Sequence, residues 1–211
     1  MSEINPGIFI TFEGGDKSGK TTLVSSLYEY FLSSGIKVIS TREPGGTDFG
    51  ERIRQVLKSR DAENIDPWTE FFLLCAGRCQ HIVDVISPKL KDGYLILCDR
   101  FTASTFAYQH YGRGLSLEAM TPIEAIARKR VYPGLTILLD IDPRLTILRR
   151  SEVELDKFDQ ESLVFHQVVR EGYLAQLQQE PRRWFMIDAT LSPEDVFQKA
   201  RDKILELLKQ K

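Results

Sequence analysis

Asparagine is almost missing from this chain, occurring only as Asn5 and Asn64. Neither is followed by lysine, so the N-K-x-D signature with which switch GTPases read guanine is excluded. Cysteine is also scarce. Cys75, Cys79 and Cys98 are an odd set with no paired spacing, as expected in a reducing compartment rather than in a disulfide scaffold. Cys75 and Cys79 share a helix face, but His81 falls well round the cylinder, so core packing is preferred to a metal site. No apolar run exceeds the neighbourhood of "FFLLCA", far below the ~20 residues of a membrane span. "MSEINPG" has no basic stretch leading into an apolar one, so no signal peptide is expected. A positive excess is missing too: the net charge is −2, which speaks against binding a nucleic-acid polymer. There is no repeat, low-complexity tract or Gly/Ser linker, so one domain over 1–211 is expected.

Near-continuous apolar strands alternate with helical patterns. "GIFITFEG" (7–14), "KVISTREP" (37–44), "YLILCDR" (94–100), "LTILLDID" (135–142) and "WFMIDAT" (184–190) read as strands buried on both faces. Between the first two, Leu23, Leu27 and Phe31 form one helical stripe that stops at Gly35. "DPWTEFFLLCAGRCQHIVDVISPKL" opens with an Asp cap and a first-turn proline, and "SPEDVFQKARDKILELLKQ" opens similarly. The order is that of an α/β sandwich built on a parallel sheet.

The first strand runs into "EGGDKSGKTTL". Gly14, Gly19, Lys20 and Thr21 satisfy G-x-x-x-x-G-K-[ST] between a strand and a helix, the context in which that motif cradles phosphate. The glycines let successive N–H groups of Gly14, Gly15, Asp16, Lys17, Ser18, Gly19, Lys20, Thr21 and Thr22 turn inward as an anion nest, at a positive helix terminus. Lys20 reaches the outer phosphates, and the Thr21 hydroxyl suits Mg²⁺. Two strands end in aspartate, at Asp99 and Asp140. Asp99 is the favoured second metal group because Arg100 follows it, while Asp140 is read as a strand-end cap. Small size and the missing guanine signature leave a phosphotransferase, with acceptor contacts sought in "TREPGGTDFGERIR" (41–54), "CAGRCQ" (75–80) and "DRFTASTFAYQHYGRG" (99–114).

Those blocks, with "LLDIDP" (138–143) and "LDKFDQES" (155–162), resemble the thymidylate kinase family over nearly the whole chain. The resemblance implies a P-loop sandwich with a five-stranded parallel sheet and a short lid at about 144–160. It further implies ATP as donor, Mg²⁺, dTMP as acceptor, and a cytosolic homodimer. By the same resemblance Arg54 and Arg100 would grip the dTMP phosphate and Arg78 the thymine edge. Asp16 would lie near the 3′-hydroxyl, Tyr108 would exclude a 2′-hydroxyl, and Thr105, Gln109 and Pro44 would complete the base and sugar contacts. The sequence departs from the family pattern in two places. Leu74 stands where many relatives carry a Phe that stacks on the base, and Lys17 occupies the loop position of a catalytic cation. Lys17 is therefore read as supplying charge to the transferred group, with Arg149 or Arg150 closing from the lid. Another nucleoside monophosphate as acceptor, or a nucleotide-binding regulator without turnover, stay open as alternatives. The apolar stretch "FFLLCAG" fits self-association or monomer core equally.

Overall fold

The computed structural model describes residues 7–59, 65–147 and 161–209. Five parallel strands form one sheet: β1 (Ile8–Glu13), β2 (Val38–Arg42), β3 (Leu95–Asp99), β4 (Leu135–Asp140) and β5 (Trp184–Asp188). Their spatial order is β2-β3-β1-β4-β5. β1 therefore lies in the middle, paired with β3 from Ile8↔Leu95 to Phe12↔Asp99 and with β4 from Ile10↔Leu135 to Glu13↔Leu138. The connection that leaves β1 runs to one side, to β2, and the one that leaves β3 runs to the other, to β4. This opens a crevice beyond the carboxyl end of β1, where open α/β sheets bind ligands.

Strand periodicity decides what each face receives. Ile8, Ile10 and Phe12 of β1 pack with Leu23, Leu27 and Phe31 of α1 (Lys20–Ser33) and with Ala200 and Ile204 of α9 (Pro193–Lys209). Phe9 turns to the other face and packs with Ile82, Ile96 and Phe101. Glu13 shares that second face and is fully buried there. On the same side, Leu138 meets Tyr108, Val169 and Tyr173, the last two from α8 (Leu163–Gln179). The predicted stripe of α1 and the stop near Gly35 (φ 77) agree with this packing.

The expected long helix from Asp66 is interrupted. Asp66 caps α3 (Pro67–His81) by accepting from the Trp68 and Thr69 amides. The chain then widens into a π turn over Ile82–Ile86 before α4 (Ser87–Lys91). Ser87 N–H bonds back five residues to Ile82 O, just ahead of Pro88. A proline cannot donate and crowds the carbonyl four residues before it, and a widened turn relieves that clash. A second π turn, Phe106–Gly112, follows the short α5 (Thr102–Thr105) and carries Tyr108 and Gln109. The remaining helices are α2 (Asp48–Lys58), α6 (Leu117–Ala127) and α7 (Pro143–Ile147).

Candidate active site

A cavity of about 520 Å³ opens at the carboxyl ends of β1, β2 and β3. Its lining runs from Lys17, Gly19, Lys20, Thr21 and Thr22 at one end to Leu74, Arg78, Thr105 and Gln109 at the other. Asp16, Arg54, Arg100 and Tyr108 lie between them. The loop predicted to cradle phosphate and the blocks predicted to hold an acceptor thus share one space.

The loop geometry follows from its glycines. Gly14 has φ 139, and a Cβ there would lie 2.5 Å from Leu139 O on β4. Gly14 therefore allows the loop to leave β1 in contact with β4. Lys17 takes φ 60 and Gly19 φ 98 as the chain enters α1. Lys20 folds back into the loop, donating to Gly15 O at 2.7 Å and Ser18 Oγ at 3.2 Å. Burial, then the neighbouring Arg100 charge, lower its pKa to about 8 against the pull of Asp99, Asp16 and Glu13. Thr21 Oγ1 donates to Asp99 Oδ2 at 2.6 Å, while buried Asp99 Oδ1 has no hydrogen-bond partner among the described residues. Asp140 is committed elsewhere, to a two-pronged pair with Arg170 at 2.7 Å on each arm. That fits its reading as a strand-end group.

Arg100 follows Asp99 in the left-handed region, at φ 70. This conformation lets its N–H bond Phe12 O while its side chain turns under the loop. Nη1 donates to Gly14 O, Ser104 Oγ and Tyr173 OH at 3.0, 3.1 and 2.9 Å. Nη2 donates to Asp16 Oδ1 at 2.6 Å, and Tyr108 OH donates to Asp16 Oδ2 at 2.7 Å. Burial alone would raise the Asp16 pKa. The Arg100 and Lys20 charges and the Tyr108 hydrogen bond outweigh it and hold Asp16 at about 2. In this structure Asp16 is thus tied to Arg100 and Tyr108 of the "DR" block.

Sequence reasoning missed Glu13. It accepts from Phe101 N at 2.8 Å and from Ser104 Oγ at 2.5 Å, bracing the segment that carries Arg100. Its signal was a lone charge ending an apolar strand on an inward register. Burial raises its pKa from 4.5 to about 7, opposed by the Ser104 hydrogen bond and the Arg100 charge. The folded protein therefore holds a proton here that the unfolded chain has released. The stability of the neutral carboxyl is complete below about pH 4.5 and is lost as pH rises to about 7. Glu13→Gln should gain roughly 3 kcal/mol relative to wild type across that window. Urea unfolding of both proteins at several pH values checks this, and a pH-independent offset would contradict it.

At the far end Arg78 is buried within α3, only 2% exposed. Its Nε donates to Glu43 Oε2 and its Nη2 to Thr105 Oγ1, both at 2.8 Å. Nη1 stands 3.7 Å from Glu124 Oε1 and makes no hydrogen bond among the described residues. His81 joins the same cluster through Glu43 Oε1 at 3.0 Å and Thr41 Oγ1 at 2.7 Å. It also packs against the "REPGGT" turn, since a Cβ on Gly46 (φ 77) would fall 2.5 Å from His81 Nε2. Glu43, Glu124 and His81 had no role in the sequence reading, because single charges on a helix or loop look solvated until a partner buries them. Arg54 reaches into the cavity while donating to Pro44 O at 3.1 Å. Arg128 pairs with the same Glu124 at 2.8 Å and lies over the Tyr132 ring.

Leu74 lines the cavity, whereas Phe71 is buried beneath and Phe72 faces outward. Neither phenylalanine is part of the cavity lining. Lys17 lines both this cavity and a small adjoining pocket. Arg149, Arg150 and Lys157 of the expected lid lie outside the described residues.

The family model for thymidylate kinase matches residues 12–200. The chain belongs to the thymidylate kinase family. It is 41% identical to a thymidylate kinase of Dehalococcoides mccartyi over 201 residues, covering 95% of this chain and 97% of that protein. A thymidylate kinase of Protochlamydia amoebophila is 41% identical over 209 residues, with 95% and 93% covered. One of Bacillus licheniformis is 39% identical over 207 residues, with 97% and 98% covered. The family match spans both ends of the cavity. It takes in the phosphate loop, the "REPGGT" turn and the "DR" block, on which the sequence resemblance rested.

Proposed function

We propose that this chain transfers the γ-phosphoryl group of ATP to dTMP, giving dTDP on the route to dTTP. The observation that carries the reading is the single cavity joining the Lys20–Thr21 end to the Arg78–Gln109 end. ATP would lie along the loop from Gly14 to Thr22, with Lys20 against its outer phosphates. Mg²⁺ fits beside Thr21 and Asp99, since Asp99 Oδ1 is a buried oxygen without a hydrogen-bond partner among the described residues. When bound, the ion would neutralise charge on the phosphates. Arg54 and Arg100 would bind the acceptor phosphate, Arg78, Thr105 and Gln109 the base, and Leu74 and Pro44 its face and rim. Asp16 and Tyr108 would meet the sugar.

The residues act mainly by positioning and by charge. Phosphoryl transfer needs an in-line approach and neutralisation more than it needs covalent help. The acceptor phosphate is already an anion at neutral pH, so no strong base is required. Ser104, Tyr173 and Gly14 O hold one arm of Arg100 and Asp16 the other, so its charge is fixed at the cavity wall where the acceptor anion would lie. Lys17 sits at the seam between donor and acceptor, suiting it to the transferred group, with Arg149 or Arg150 as lid cations.

Exposed Phe49 and Val56 on α2 and Phe72 and Val83 along α3 and its π turn provide apolar faces for a homodimer. Among the described residues no helix is long and apolar enough to cross a membrane. The three free thiols support a cytosolic setting.

A coupled ADP-release assay with dTMP, dUMP, dCMP, dGMP and AMP tests the reading. The highest kcat/KM should fall on dTMP, and nucleotide binding without turnover of any acceptor would overturn it. Leu74→Phe should lower KM for dTMP several-fold, roughly the 0.5–1.5 kcal/mol of an added aromatic contact. An unchanged or higher KM would show that Leu74 does not cover the base.

A further inference from the structure

Gln109 lies on the π turn Phe106–Gly112, 1% exposed, and lines the end of the cavity assigned above to the base. Its Nε2 donates at 2.7 Å to Oε1 of Glu70, in the first turn of α3. Glu70 is completely buried, with the Arg113 guanidinium 3.6 Å away as countercharge. Arg113 in turn reaches Glu161 at 2.5 Å. The other amide atom, Gln109 Oε1, is buried and has no hydrogen-bond partner among the described residues.

A carboxylate only accepts hydrogen bonds. Turning the Gln109 amide over would set Oε1 against Glu70, acceptor facing acceptor, and would leave a buried NH₂ without a partner. Glu70 thereby selects one of two amide orientations. The atom left for a ligand is an acceptor. Arg78 lines the same cavity, and its Nη1, 3.7 Å from Glu124 Oε1, is a buried donor without a hydrogen-bond partner among the described residues.

We propose that Glu70 is a specificity-determining positioning residue: it locks Gln109 so that the base site presents an acceptor on the cavity that the Arg78 donor also lines. That pair is complementary to a pyrimidine with a 4-oxo group and a protonated N3. A 4-amino pyrimidine reverses both partners, placing a lone pair at Gln109 Oε1 and a donor at Arg78. A site that leaves buried polar groups unmatched rejects such an analogue strongly. Glu70 touches no substrate and acts only through Gln109. The inference rests on the kinase reading above and deepens it.

The test compares dTMP with 5-methyl-dCMP, which differ only at position 4 and in N3 protonation. Glu70→Gln keeps the shape of the side chain but can accept from or donate to Gln109, so the amide becomes free to turn. The dTMP to 5-methyl-dCMP ratio of kcat/KM should fall on the order of 10-fold, with KM for ATP unchanged. In a Gln109→Leu background there is no amide to orient, and adding Glu70→Gln should leave the ratio where Gln109→Leu put it. If Glu70→Gln reduces kcat/KM for both nucleotides equally, or shifts the ratio equally in both backgrounds, the orienting role is overturned. Turnover of dTMP by the wild-type protein is decided separately by the acceptor panel. A flat ratio with an active wild type therefore rejects Glu70 and leaves the kinase reading intact.

Discussion

Arg100→Lys is expected to lower kcat/KM for dTMP by about 10²–10³, the scale of one lost oriented donor at a reacting anion. Lysine keeps the charge but not the planar fork. A single ammonium group cannot meet Gly14 O, Ser104 Oγ and Tyr173 OH on one arm and Asp16 on the other, as Arg100 does. Its position is further constrained by the left-handed backbone at φ 70 and by the Glu13 carboxyl that accepts from Phe101 N. Burial disfavours the charged guanidinium. The neighbouring Tyr108, Tyr173, Asp16 and Asp99 reverse this, so its pKa lies well above the ordinary value. Asp16 is held near 2, so the pair stays charged throughout the neutral range. The Arg100–Asp16 pair therefore adds no pH dependence of its own to the loss in Arg100→Lys. Steady-state kinetics with thermal melting separates this from unfolding. A variant with wild-type kcat/KM would remove Arg100 from the reaction.

Arg78→Leu is expected to cost stability and acceptor binding together. Arg78 lies between Glu43 and Glu124, and the three side chains are 1%, 6% and 3% exposed. Taking the guanidinium away leaves two buried carboxylates with reduced compensation, a loss of about 3–5 kcal/mol. For a chain of this size Tm should fall on the order of 10 °C. Adding Glu43→Gln should return part of that loss by removing one uncompensated charge. KM for dTMP should rise while KM for ATP holds, because the loop residues lie at the other end of the cavity. Calorimetry on the single and double variants checks the first part and initial-rate kinetics the second. A wild-type Tm for Arg78→Leu would mean that the carboxylates find other partners or protonate without strain.

Much of the Lys20–Thr21 end of the cavity was legible from the sequence. Phosphate cradling needs a glycine-rich turn between a strand and a helix, and all of its parts lie within Ile8–Ser33. Local order was enough to place Lys20 and Thr21. Asp99 was legible as well, since an apolar strand ending in Asp-Arg stands out by pattern alone. The Arg78–Gln109 end was read by resemblance and not by pattern. Arg54, Arg78, Tyr108 and Gln109 come from separate elements, and nothing in their own neighbourhoods says that they meet.

The buried acids mark the limit more sharply. Glu13, Glu43, Glu70 and Glu124 are each at most 5% exposed, although an isolated glutamate in sequence reads as solvated. Each is buried against a partner distant along the chain: Ser104, Arg78, Gln109 and, for Glu124, Arg78 besides its neighbour Arg128. The two π turns were equally invisible, since hydrophobic period does not distinguish them from an ordinary helix.

The sequence by itself determined the α/β class, the phosphate loop and the family, because periodicity and the loop and turn motifs are local properties. Only the tertiary structure decided that Asp16 is paired with Arg100 and that Arg78 is held by two acids. It also decided that Gln109 has one amide face committed to Glu70. Those facts depend on which charges lose their water together, and desolvation is settled by what packs against a side chain, not by its neighbours in the chain.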